Sequence, residues 1–288
     1  MEFSLVDQES GGASRVAAGM INPITGKNFE PSWRIGEFLP EALEFYAGVE
    51  GVLGKTLWYP LTVLRLAGSE KEWEKISAKL GNEAVRPWIG GSVTAPEGWI
   101  GAVEVTGGGR VDTRTFIDAS REFFRKLGIY RNGSDGPGLR IFCDGAAGLM
   151  TGKYGPHRCA KGEVLTIRAT GWDESMIRVG AGGWLIPLGD GVFRAGATYE
   201  WDELDELPTE KGRDFVETIV RRLARGDYKI IAHEAGIRPI VKGSEPLFGP
   251  MEGGDWMFNG LGSKGSLYAP ATARRLADWM QDGAESGV

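Results

Sequence analysis

Arg238, in the run Gly236-Ile237-Arg238-Pro239-Ile240, is the side chain in this sequence best suited to gripping a ligand. A guanidinium presents a rigid fork that pairs with a carboxylate through two parallel hydrogen bonds. A proline constrains the residue before it, so Pro239 restricts Arg238 to an extended backbone and helps fix its direction. Some twenty residues on, NGLGSKGSLYAPATARRLADWM (residues 259–280) opens with Gly260, Gly262 and Gly265 around Ser263 and Lys264. Ala269, Ala273, Leu276 and Met280 then recur at helical spacing, with Pro270 suited to a first turn. A glycine loop brings bare backbone close to a ligand, and a helix N-terminus favours negative charge there. The pair points to a carboxylate-bearing ligand beside something that gathers negative charge.

The elements around these residues alternate between helical and extended periodicity, which places the chain in the α/β class. Phe3-Ser4-Leu5-Val6 reads as a strand ending at Asp7, a carboxylate placed where dinucleotide-binding folds hold a ribose. Residues 11–27 are dense in Gly, Ala and Ser. Helices are expected over 37–50, 69–81 and 208–226, and strands over 57–68 and 88–108. Phe116, Ala119, Phe123 and Leu127 line one face of a helix that Asp112 or Thr113 caps and Gly128 ends. Leu139–Cys143 reads as a buried strand running into Gly145 and Ala146, and residues 161–201 as strands with a hairpin at Gly189-Asp190-Gly191.

Composition narrows the function. The chain has 288 residues, 42% hydrophobic and 25% charged, with a net charge of −6. That is a soluble globular balance, and it lends no support to a nucleic-acid surface. No apolar run is long enough to span a membrane and the N-terminus carries charge too early for a signal peptide, so the expected compartment is the cytoplasm. Two cysteines (Cys143 and Cys159, read as buried) and two histidines argue against a disulfide framework or a metal centre.

Several of these segments resemble the D-amino-acid oxidase superfamily, which includes glycine oxidase and sarcosine oxidase. Ser14, Arg15, Ala18, Gly19 and Met20 fall on its Ser-rich, Ala-Ala-Gly-Met segment. Gly236–Pro239 matches its Gly-x-Arg-Pro run, and residues 259–280 match its C-terminal flavin-contacting motif. The resemblance implies an FAD-binding Rossmann-like domain (1–45, 111–150 and 236–288) interleaved with a mainly antiparallel substrate domain (46–110 and 151–235). It implies FAD contacts at Asp7, Ser14, Arg15, Ala18, Gly19, Met20, Gly145, Ala146, Gly260, Gly262, Ser263 and Gly265. Arg238 would bind the substrate carboxylate. Lys264 would meet the same carboxylate or stabilise reduced flavin and developing superoxide charge; a solvated lysine at a loop tip is the other reading. No metal is implied.

The implied reaction is oxidation of a carboxylate-bearing primary or secondary amine by hydride transfer to flavin N5, with oxygen or another acceptor closing the cycle. The G-x-G-x-x-G loop of such folds comes about twenty residues before the acidic strand end. Asp7 leaves no room for it. Met1 is therefore expected to be an internal methionine, with a first strand upstream. The alternatives are a cofactor-deficient homologue acting as a binding module, or an oxidase that modifies wobble uridine in tRNA.

Overall fold

The computed structural model describes residues 3–7, 12–131, 138–243 and 245–285. Gly11, the first residue of the small-residue segment, lies outside them.

The N-terminal part holds β1 (Leu5–Val6), α1 (Ala13–Val16), β2 (Met20–Ile21), β3 (Ile24–Thr25), β4 (Glu30–Pro31) and α2 (Ile35–Leu53). Next come β5 (Trp58–Pro60), β6 (Thr62–Ala67), α3 (Glu70–Ser77), β7 (Ile89–Val93), β8 (Gly101–Val105) and β9 (Gly109–Val111). The middle comprises α4 (Thr113–Lys126), β10 (Tyr130–Arg131), β11 (Ile141–Phe142) and α5 (Gly145–Met150). Four longer strands follow: β12 (Ala160–Ala169), β13 (Met176–Gly180), β14 (Gly183–Gly189) and β15 (Val192–Gly196). The chain ends with α6 (Glu210–Leu223), β16 (Tyr228–Arg238), β17 (Leu247–Pro250), β18 (Trp256–Asn259) and α7 (Gly265–Glu285).

An eight-stranded sheet, ordered β16-β12-β15-β14-β13-β6-β8-β7, dominates this mixed α/β fold. It is antiparallel except where β13 runs parallel to β6, joining strands from two distant stretches of chain. Arg238 ends β16, so a domain boundary at residue 236 would fall inside that strand. Directly opposed residues share a face. On one face Leu165, Ile167, Leu185 and Phe193 pack against Val216, Ile219, Val220 and Leu223 of α6. On the other, Ala18, Ile24 and Phe29 pack against Val63, Val103, Val105, Ile177 and Ile186. Each larger apolar side chain here, such as Ile24 or Phe29, contributes about 1.5–3 kcal/mol on burial, so the N-terminal segment is held firmly on the sheet.

Local expectations largely match the elements, and the differences have physical causes. Asp112 is the cap of α4, accepting from the Thr115 N–H at 3.0 Å. Asp190 and Gly191 take positive φ in the hairpin between β14 and β15. Phe215 and Leu127, assigned to packed faces, are instead exposed at 49% and 56%. The strand expected over 139–143 shortens to Ile141–Phe142, with Ile141 43% exposed, because β18 is its only partner among the described strands. Cys143 is exposed and Cys159 buried. Pro270 stands inside α7, which begins five residues earlier than a proline-led start would put it. Its missing N–H leaves the Ser266 carbonyl free for the Tyr46 hydroxyl, which donates to it at 2.9 Å.

Candidate functional site

Arg238 reaches its position through glycine. It lies opposite Ala160 across the β12–β16 pair, and a Cβ added at Gly162 would fall 2.1 Å from the Arg238 Nη2. The bare strand therefore lets the guanidinium lie across the sheet. Nη1 donates to the Lys161 carbonyl at 3.3 Å and Nη2 to the Thr198 carbonyl at 3.1 Å. The Tyr199 ring stacks on the group with its centroid 4.0 Å from Cζ. No carboxylate pairs with Arg238 among the described residues, and burial holds its pKa below the usual arginine range. The arrangement is a desolvated cation steadied by neutral groups and lacking an anion.

The glycine loop lies against this anchor. The Gly262 N–H donates to the Pro239 carbonyl at 2.9 Å, and Gly260 and Gly262 both take positive φ. Gly260 packs on Val241, where a Cβ would approach Cγ1 at 3.1 Å. Its N–H donates to the Asn259 side chain at 2.7 Å. The Asn259 amide donates in turn to Asp144 at 2.8 Å and to the Gly145 carbonyl at 3.0 Å. That tie brings the Gly145–Ala146 turn, the start of α5, to the same loop. Ala146 packs against the buried cluster of Leu149, Cys159, Ile237 and Val241. The N–H groups of Gly265 and Ser266, in the first turn of α7, have no acceptor among the described residues. Open donors at a helix N-terminus suit an electron-rich group.

Lys264 points away from solvent. Its ammonium donates to the hydroxyls of Thr25 at 3.0 Å and Ser32 at 3.2 Å, just beyond the Ala18–Met20 segment. Burial lowers its pKa. α1 lies on β16: a Cβ added at Gly236 would stand 3.2 Å from Ala13 Cα and 3.3 Å from Val16 Cβ.

Small-residue positions elsewhere serve the chain itself. Gly19 has φ +66°, and a Cβ there would fall 1.9 Å from the Val111 carbonyl oxygen, so glycine is required by packing on β9. Ser14 and Ser263 are exposed, Met20 is part-buried, and Arg15 pairs with Asp118 on α4. Asp7 accepts from Arg121 at 2.6 Å and from the Tyr130 hydroxyl at 3.3 Å. A ribose at Asp7 would have to share that carboxylate with a guanidinium.

Two contributors escaped sequence reasoning. Tyr199 carried no signal, since its stacking depends on the path of the chain after β15. Gly162 carried a weak one, because glycine inside a strand pattern often marks close approach of another group.

Residues 4–279 match the model of the family described as FAD dependent oxidoreductase. Glycine oxidase from Pseudomonas aeruginosa is 30% identical over 124 residues, 42% of this chain and 34% of the relative. The chain thus spans about a third of the length of that curated relative. The structure of iminodiacetate oxidase from Chelativorans sp. BNC1 aligns with a TM-score of 0.76 at 21% identity, covering 98% of this chain and 88% of that one. Glycine oxidase from Geobacillus kaustophilus aligns with a TM-score of 0.74 at 18% identity, covering 96% and 86%. These two likenesses speak to the fold. No helix among the described residues is long and apolar enough to cross a membrane. With all but a few terminal residues inside one family match, the chain belongs to the FAD dependent oxidoreductase family.

Proposed function

We propose that this chain oxidises a small amine bearing a carboxylate, primary or secondary, of the kind named by its glycine oxidase and iminodiacetate oxidase relatives. The observation that carries the reading is the Arg238 guanidinium, desolvated, unpaired with any acid among the described residues, and hydrogen-bonded through Pro239 to the glycine loop. A substrate carboxylate completes its hydrogen bonding and fixes the amine-bearing carbon relative to that loop.

The residues at the ring end of the expected cofactor fit it. Gly262 and Gly265 have no neighbour closer than 3.8 Å where a Cβ would stand, and the open N–H groups of α7 suit the edge of a ring that gains negative charge. Gly145 and Ala146 are tied to the same loop by Asn259, and Ala18, Gly19 and Met20 would meet the ring through backbone, since the Ala18 side chain packs into the core and the Cβ position of Gly19 faces the Val111 carbonyl. Ser14, Arg15 and Asp7 would lie toward the nucleotide end, the last shared with Arg121. When bound, FAD supplies the electron acceptor for oxidation of the carbon next to the amine. Arg238 orients the substrate, and Tyr199 and Gly162 hold the fork in place. The Lys264 ammonium, kept by Thr25 and Ser32, adds positive potential at the loop without spending it on a carboxylate.

The reading is tested by screening carboxylated amines for peroxide production while recording flavin absorbance of the purified chain. A run with an artificial electron acceptor replaces oxygen as the oxidant. Turnover of carboxylated amines, with little on the matching decarboxylated amines, is expected. A flavin-loaded preparation that favours amines without a carboxylate would overturn it.

A further inference from the structure

A second cluster of arginines, apart from Arg238, lines a crevice of about 340 Å³ between the start of α4 and the sheet. Arg110, Arg114, Arg194, Glu234 and Asp112 line it together with Ala232. Glu234 is fully engaged: Arg194 donates to one oxygen and Arg114 to the other, each at 2.5 Å. Arg194 also donates to the carbonyls of Val16 at 2.7 Å and Ala17 at 3.0 Å. Asp112 is committed to capping α4.

Arg110 is left over. It is only 5% exposed, yet it makes no ion pair among the described residues. Nη2 donates to the Leu188 carbonyl at 3.0 Å, and the guanidinium lies over the Tyr59 ring at 3.9 Å. Burying a cation without a counter-ion is costly, even where the field of Asp112 offsets part of that cost. Three guanidiniums against two carboxylates leave the crevice net positive, and both carboxylates already have donors.

We propose that this crevice binds a phosphate-sized oxyanion, with Arg110 and Arg114 as its charged contacts. An oxyanion takes several hydrogen bonds from forked donors and supplies the charge that Arg110 lacks. The volume admits inorganic phosphate or the terminal phosphate of a monoester. Nothing in this proposal requires flavin or amine oxidation.

The test is titration of the intact chain with inorganic phosphate and, separately, methyl phosphate, at constant ionic strength set with chloride. Binding is followed by calorimetry and melting temperature. Saturable binding of phosphate is expected; methyl phosphate binding as well would assign the site to phosphate monoesters, and its failure to bind would assign it to free phosphate. Arg114 is 47% exposed, so Arg114→Ala should fold, and it should weaken binding roughly tenfold or more. Ala232→Asp, which plants a carboxylate in the crevice, should raise the melting temperature without phosphate and abolish the phosphate-dependent rise. No saturable binding of phosphate, or equal binding by the wild type and both variants, would overturn the proposal.

Discussion

Arg238 and Arg121 sit at the two ends of the proposed cofactor site and are satisfied in opposite ways. Arg121 has spent its charge inside the fold, on Asp7 at 2.6 Å. Among the described residues Arg238 has only carbonyls and a tyrosine ring as partners. A guanidinium that already holds a carboxylate stiffens the structure, whereas one held by neutral groups keeps most of its electrostatic attraction for a ligand. In the proposed site the ring end would therefore receive a charge, whereas the carboxylate at the nucleotide end is already paired.

The largest effect expected from this contrast belongs to Arg238→Ala. Removing a charge-assisted pair of hydrogen bonds should weaken binding of a carboxylated substrate or inhibitor roughly a hundredfold, with flavin affinity nearly unchanged. Equal dissociation constants in the two proteins would erase the contrast. Gly162→Ala should come next. Its new methyl meets the mobile end of Arg238 rather than backbone, so the fork is displaced and the fold survives. Carboxylate affinity should drop roughly tenfold while the melting temperature holds or rises slightly.

Asp7→Asn probes the other end. With Asp7 about a third exposed, losing the pair should cost about 1 kcal/mol, a fall of a few degrees in melting temperature. Flavin affinity should change less than tenfold, because the carboxylate is shared; a larger loss would make Asp7 a cofactor ligand first and a partner of Arg121 second. The smallest effect concerns pH. Burial lowers the Lys264 pKa below 10.5, so between the folded and unfolded values the unfolded chain binds more protons. Stability should therefore rise with pH across that window. In Lys264→Met this alkaline gain should vanish, which melting curves taken from neutral pH upward would show.

The parts of the site legible in the sequence were those encoded by neighbours along the chain. Gly236–Pro239 and Gly260–Gly265 announce themselves because proline and glycine act on adjacent backbone. Gly162 and Tyr199 acquire their roles from cross-strand register and from the path after β15, which no local pattern records. Asp7 was visible as an acidic strand end, yet Arg121 stands 114 positions away and its claim on that carboxylate was not. Residues 139–143 show the same limit in the fold. Their apolar run suggested a buried strand, but how far a strand is buried depends on how many neighbours flank it, and Ile141 has one.

The contact between α1 and Gly236 sets an order of assembly. Residues 13–16 are made before β16, more than two hundred residues later, and cannot find their place until β16 has paired with β12. Closing so long a loop is slow, so refolding should show the eight-stranded sheet forming before ligand-binding competence returns.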